Sequence, residues 1–157
     1  MNLISFRPEL QNKVEEFLQF VQAHRGCTLD RANLPADIKH IQASYQHDGG
    51  DFWLLLENAS IIGCIAVRII DQNACVGEIK RYFVLPSHQR QGLGGALIAH
   101  AIGFAKLSGL KKIRLDSMKQ STAALAIFRK HGFYEIPKYN DNPVAEVFME
   151  KCMADSV

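Results

Sequence analysis

Val84-Leu85-Pro86-Ser87-His88-Gln89-Arg90-Gln91-Gly92-Leu93-Gly94-Gly95-Ala96 is the stretch that decides how this chain is read. An apolar, strand-like run ends at Leu85, and a helical pattern starts at Gly92. The first N–H groups of a helix have no partner within it, and the positive end of its dipole lies there. Glycines let a ligand approach the backbone and permit unusual dihedrals. Arg90 adds a cation, so a phosphate or pyrophosphate fits the junction. Two common phosphate loops do not match. A Walker loop needs Gly-Lys-Ser/Thr where this chain has Gly94-Gly95-Ala96, and a dinucleotide GxGxxG from Gly92 needs glycine where Leu97 stands. The junction also follows a β-meander past mid-chain, not the first strand of a parallel βαβ unit. A glycine-rich helix entry that binds nothing is the bland alternative.

Outward from the junction, periodicity lays out the rest. Upstream, Leu3 to Arg7 reads as a short strand. Leu10, Val14, Phe17, Leu18 and Val21 mark an amphipathic helix ending near Gly26, and Leu34 to Tyr45 a second one. Phe52 to Glu57, Ile61 to Ile70 and Cys75 to Leu85 form an antiparallel meander. Downstream, Gly92 to Lys106 is a helix and Lys111 to Asp116 a strand. A helix over Ser121 to Lys130 and strands over Phe133 to Ile136 and Val144 to Lys151 complete the chain. The order β-α-α-β-β-β-α-β-α-β-β is a mixed α/β domain spanning 1–157, without repeats or a linker.

Composition narrows the function classes. The chain has 157 residues, enough for one sizeable core. A net charge of +2 is too weak to argue for nucleic acid. The start lacks a signal-peptide pattern, and no apolar run approaches the roughly 20 residues of a membrane span. Cys27, Cys64, Cys75 and Cys152 are widely spaced, without a CxxC pair, and read as small buried thiols of a reducing cytosol. The expected setting is therefore cytoplasmic, without nucleic acid, membrane or metal, and a homodimer is left open.

Gln89-x-x-Gly92-x-Gly94 resembles the Q/R-x-x-G-x-G/A signature of the GCN5-related N-acetyltransferase (GNAT) superfamily. Ser121 through Phe133 is similar to that family's N-x-x-A-x-x-L-Y-x-x-x-G-F segment, and the element order agrees over nearly the whole chain. The resemblance implies a GNAT-like fold: a mixed central sheet flanked by helices, with its fourth and fifth strands splayed. It implies acetyl-CoA as cofactor. Its pyrophosphate would lie against Gln89, Arg90, Gln91, Gly92, Leu93, Gly94, Gly95 and Ala96, and its pantetheine arm along Phe83, Val84 and Leu85. Ser121 and Phe128 would flank the same site.

The implied activity is acetyl transfer to a primary amine of a small molecule by direct attack. Glu78 matches the glutamate that some relatives use as base, and reads equally as a partner of Lys80, Arg81 or a substrate ammonium. The backbone amide near Val84 is the implied oxyanion donor. Many relatives protonate the departing thiolate with a tyrosine where this chain has Phe128, so Tyr82, Tyr134, Tyr139 or water would replace it. Ser121 stands for the usual asparagine and reads best as a helix cap. His88, His100 and His131 lack nucleophile patterns and read as packing or solvated residues. The acceptor site is expected among the N-terminal helices, Tyr45 to Trp53 and Tyr139 to Pro143, with Arg25, Arg31, Arg68 and Arg81 able to hold a carboxylate. A non-catalytic acyl-CoA-binding module, an enzyme acting on a protein or peptide amine, and a phosphate-binding structural domain are the rivals.

Overall fold

The computed structural model describes residues 1–153. The elements run β1 (Asn2–Ser5), α1 (Gln11–His24), α2 (Ala36–Lys39), β2 (Asp51–Glu57), β3 (Ser60–Asp71), β4 (Val76–Val84), α3 (Leu93–Leu107), β5 (Lys112–Ser117), α4 (Thr122–Lys130), β6 (Tyr134–Glu135) and β7 (Val147–Cys152). The seven strands form one mixed sheet in the order β1-β2-β3-β4-β5-β7-β6. All neighbours are antiparallel except β4 and β5.

Each face of the sheet carries its own core. Trp53, Leu55, Ile65 and Val67 point toward α3 and α4, where Leu97, Ile98, Leu125 and Phe128 meet them. Phe52, Leu54, Cys64 and Ala66 point the other way, onto Val14, Phe17, Leu18 and Ile38. A strand covered on both faces has no polar side to alternate with, which is why Phe52 to Leu56 reads as an unbroken apolar run.

Two irregularities position the site. Cys64 opposes Phe83 but Ala66 opposes Lys80, so β4 carries one extra residue. That bulge falls at Arg81, whose φ is 52°. The buried Cys64 thiol donates to the Arg81 carbonyl at 3.0 Å. A bulge bends the strand that carries it. Accordingly, β4 pairs with β5 only from Val76↔Lys112 to Glu78↔Arg114, while β5 stays on β7 as far as Ser117↔Val147. The strands diverge beyond Glu78 and leave a slot through the sheet.

Several boundaries differ from the periodicity. The second helical pattern breaks into α2 and a π-helical turn over Gln42–Gln46, because the His40 backbone (φ −131°, ψ 62°) leaves the helical range. The strand expected over Phe133 to Ile136 shortens to β6, and the one expected from Val144 starts at Val147, after an Ala145–Asn142 turn. Cys27 and Cys152 are exposed, not buried as their type suggested. No helix among the described residues is long and apolar enough to cross a membrane.

Candidate active site

The junction quoted above is a tight connection on the edge of the slot. Pro86–His88 forms a 3-10 turn after Leu85. His88 Nε2 lies 2.8 Å from a Glu57 carboxylate oxygen, which ties the turn to the end of β2. Arg90 and Gly92 both take left-handed backbone, at φ 63° and 79°. Gly92 caps α3 without a side-chain bond, and the first helical bond runs from the Ala96 N–H to the Gly92 carbonyl. The amides of Leu93, Gly94 and Gly95 therefore precede the hydrogen-bond ladder.

The glycines differ in purpose. Gly92 supplies the left-handed turn. A Cβ at Gly94 would run into the Tyr82 hydroxyl, so that residue is small to admit a protein side chain rather than a ligand. A Cβ on Gly95 would meet only His131 Cε1, at an ordinary 3.5 Å.

Side-chain and backbone direction alternate along β4. The Phe83 carbonyl faces Gly63 and the Leu85 N–H bonds Ile62, both toward β3. Val84 is turned the other way, into the slot, where the Gln89 side-chain amide donates to its carbonyl at 3.0 Å. The Val84 N–H faces the same opening. A cleft of about 710 Å³ runs from Arg90 and Gly94 past Val84 to Ser121 and Ile127. A second, about 410 Å³, shares Arg25, Tyr82, Phe83, Ser121 and Ala124 with it and continues to Asp37, Arg68, Lys80, Asp116 and Asn142. The two meet in the slot; α4 and the end of α1 contribute to both, Gly94 of α3 to the larger and Asp37 of α2 to the smaller.

Of the candidate tyrosines, Tyr82 lines both clefts. Its ring packs on Phe128 with centroids 5.5 Å apart, and burial pushes its hydroxyl up to about 12. Phe128 is buried in the wall. Tyr139 lies beneath the wall. Its hydroxyl donates to Glu78 at 2.6 Å, and burial together with that bond raises it well above the usual phenol range. Tyr134 is elsewhere, on the outer strand β6, bonded to Glu150 at 2.7 Å and 3.1 Å from the Cys152 sulfur; those two bonds, Cys152's first, push it up. Ser121 precedes α4 without a capping bond and lines both clefts, so the expected cap is not formed and its hydroxyl stays with the slot.

Glu78 is 1% exposed and is not part of the cleft wall. One oxygen receives Arg68 Nε and a terminal guanidinium nitrogen at 2.9 and 2.8 Å, with Lys80 Nζ at 3.7 Å. The other receives Tyr139 and the Asn140 amide, at 2.6 and 3.2 Å. A carboxylate offers about four lone-pair sites, and these donors fill them.

Two carboxylates do reach the cleft. Asp37 is gripped by Arg81 through two bonds of 2.9 and 2.7 Å and by Tyr45 at 2.6 Å. Burial opposes its charge, but Arg81's bonds and charge and the Tyr45 hydroxyl outweigh it and hold Asp37 below the ordinary carboxylate range. Asp116, on β5 across the slot, is 11% exposed. It takes Lys80 and Asn140 on one oxygen, at 3.3 and 2.7 Å, and Asn142 on the other at 3.2 Å. One lone-pair site on that second oxygen has no donor among the described residues. Sequence patterns gave no sign of Asp37 or Asp116, since only the bulge and the splay bring them together.

The histidines serve local contacts: His100 meets Trp53 edge-to-face with centroids 4.7 Å apart and His131 bonds the Ile127 carbonyl. Trp53 faces α3, away from the second cleft. Arg31 lies outside the cleft, paired loosely with Glu16 at 3.5 Å.

Residues 15–133 match the acetyltransferase (GNAT) family. The chain belongs to that family. This makes it a GNAT acyltransferase, and the splayed sheet is the family's fold. It is 29% identical to an IAA acetyltransferase of Azospirillum brasilense over 103 residues, 64% of this chain and 66% of that protein. An uncharacterized N-acetyltransferase of Schizosaccharomyces pombe is 28% identical over 143 residues, 88% of this chain and 87% of that one. The match to human N-acetyltransferase 8 spans less than half of that protein, 46%. Among solved structures, a GNAT acetyltransferase of Staphylococcus aureus superimposes with a TM-score of 0.85 at 23% identity, over 96% of this chain and 98% of that one. A Salmonella typhimurium acetyltransferase, solved with its cofactor acetyl-CoA, gives 0.75 at 18% identity, over 100% and 96%.

Proposed function

We propose that this chain moves the acetyl group of acetyl-CoA to a primary amine of a small molecule. The observation that carries the reading is the continuous opening from the free amides of α3 through the Val84 N–H to a charged second cleft. The residues present suit the cofactor. The amides of Leu93, Gly94 and Gly95 with Arg90 would hold its pyrophosphate, the second lone pair of the Val84 carbonyl would receive the pantetheine arm, and Ser121 and Phe128 would wall the thioester end. Acetyl-CoA supplies an acetyl thioester, whose carbonyl accepts the amine and whose sulfur leaves.

The chain's own groups then have distinct tasks. The acceptor amine, with a pKa near ~10.4, must lose a proton before it attacks. We assign that proton to Asp116, directly or through a water, because it faces the cleft and keeps an open lone pair. Glu78 becomes the anchor of Arg68 and Tyr139 rather than the base. The Val84 N–H would stabilise the acyl oxygen as negative charge develops there. Tyr82, which lines both clefts, would be placed to protonate the departing sulfur and recover a proton from solvent. A thiol with pKa near ~8.5 needs little help, so this contribution is modest.

Thermal melting tests the cofactor claim. Acetyl-CoA at about 100 times its Kd raises stability by ~2.7 kcal/mol, whereas acetate leaves it unchanged. A melting temperature that acetyl-CoA does not move removes the proposal. Binding without thiol release against any amine would favour the non-catalytic acyl-CoA module.

A further inference from the structure

Within the N-acetyltransferase reading, on which this step rests, the charge layout of the second cleft narrows the acceptor. Four cations line it: Arg25, Arg68, Lys80 and Arg81. Three carboxylates answer them, each with a clear partner. Asp37 meets Arg81 at 2.7 Å, Asp116 meets Lys80 at 3.3 Å, and Glu78 behind the wall meets Arg68 at 2.8 Å. Arg25 is left over, with no carboxylate partner among the described residues. It caps the end of α1, and its guanidinium stands over the Phe83 ring at 5.2 Å, next in sequence to Val84. It lines both clefts, so the unbalanced charge lies where the two meet.

Arg68 adds to that charge. Its Nε and one terminal nitrogen are fixed on Glu78, and its side chain is still 39% exposed toward the cleft. The guanidinium is thus oriented by a buried carboxylate while its other terminal nitrogen remains available. Such a pre-oriented nitrogen can donate to an anion in the cleft without first paying to order its side chain. Asp116 stands on β5, across the slot from β4. The cleft therefore carries a cationic part and a carboxylate able to receive an ammonium. A polyamine would bring further positive charge beside Arg25 without a carboxylate to meet it. A zwitterion satisfies both parts.

We infer that the acceptor is an amine bearing a carboxylate, an amino acid, with Arg25 and Arg68 receiving the carboxylate while the amine lies toward Asp116. The cleft volume of about 410 Å³ is at the small end of ligand pockets and suits a free amino acid. The chemistry is unchanged: the amine's N–C bond replaces the C–S bond, the ammonium proton leaves through Asp116, and the thiolate takes a proton.

The experiment measures CoA thiol release by the full chain with each amino acid beside its decarboxylated amine, and acetyl-CoA binding by calorimetry in parallel. The best amino acid is expected to exceed its decarboxylated amine by about tenfold to a hundredfold in kcat/KM, the range of a charge-assisted hydrogen bond. Arg25→Gln is expected to raise the amino acid KM by a similar factor, to leave the acetyl-CoA Kd within about twofold, and to collapse the amino acid preference. Arg25→Lys should recover only part of it, because a lysine lacks the fork. Equal use of the decarboxylated amine overturns the inference. So does an Arg25→Gln effect confined to acetyl-CoA, or binding of acetyl-CoA with no amino acid turned over. Failure of acetyl-CoA to bind at all would instead take down the transferase reading beneath it.

Discussion

Glu78→Gln separates an anchor from a base. The substitution keeps the shape and removes one negative charge from a site 1% exposed. Arg68 then loses a partner held at 2.8–2.9 Å, and the Gln amide nitrogen must face either Arg68 or the Tyr139 hydroxyl. Breaking a fully buried ion pair costs about 3–5 kcal/mol, and a surface pair about 0–1. Arg68 is 39% exposed and can rehydrate, so the expected loss is ~2–3 kcal/mol. For a chain of this length that is a fall of roughly 4–12 °C in melting temperature. Turnover near neutral pH should fall only a few-fold, through misplaced Arg68. Asp116→Asn is the comparator: it should cost about 10²-fold or more in kcat. The measurements are thermal denaturation and kcat/KM. A Glu78→Gln protein that melts like the wild type and loses about 10²-fold in rate would refute the anchor assignment and return Glu78 to the role of base.

Neighbouring glycines should respond with opposite signs. Gly95→Ala meets His131 at an ordinary distance and gains ~0.5–1 kcal/mol from helix propensity, whereas Gly94→Ala strikes Tyr82 and should lose ~1–2 kcal/mol and weaken acetyl-CoA binding; equal melting temperatures would disprove the Tyr82 contact. Tyr82→Phe should lower kcat by about tenfold with acetyl-CoA affinity unchanged, and an unchanged kcat would show that water protonates the thiolate. Asp37 is held below its ordinary range, so its stabilising contribution is complete above the unfolded value near ~3.9 and fades as pH falls through the lower folded value. The melting-temperature gap between wild type and Asp37→Asn is therefore expected to be full at pH 6 and to narrow below about pH 4; a gap constant down to pH 2 would contradict the Arg81 clasp.

Much of the fold could be read from pattern because its cores are continuous. Phe52 to Leu56 and Ile61 to Val67 are apolar on both sides, as strands covered on two faces must be. The helix entry at Gly92 was legible because its chemistry is local: a left-handed turn followed by unpaired amides. The second cleft was legible only in part. Arg25, Arg68 and Arg81 were expected to hold an anion, but Asp37 and Asp116 come from α2 and β5, and only the extra residue at Arg81 and the parting of β4 from β5 gather them around one cleft. Tyr134 and Tyr139 show the same limit. Both lie in the expected C-terminal segment, yet one is on an outer strand and the other has its hydroxyl committed to Glu78. No spacing rule distinguishes them from Tyr82, whose place between Gly94 and Phe128 depends on the packing of α3 on α4.

The short β4–β5 pairing also has a mechanical meaning. β1 to β4 form one plate and β5, β7 and β6 another, and the seam between them is short: three register pairs, a Lys111 N–H to Cys75 carbonyl bond beside them and the Lys80–Asp116 side-chain bond. Protein segments with few shared hydrogen bonds open at lower free energy than the molecule as a whole. A ligand lying along Val84 supplies rungs that the seam lacks and braces one plate against the other. Occupancy of the slot is then felt as stiffness far from it, with slower amide exchange in β5 and β7, strands that need not touch the ligand themselves.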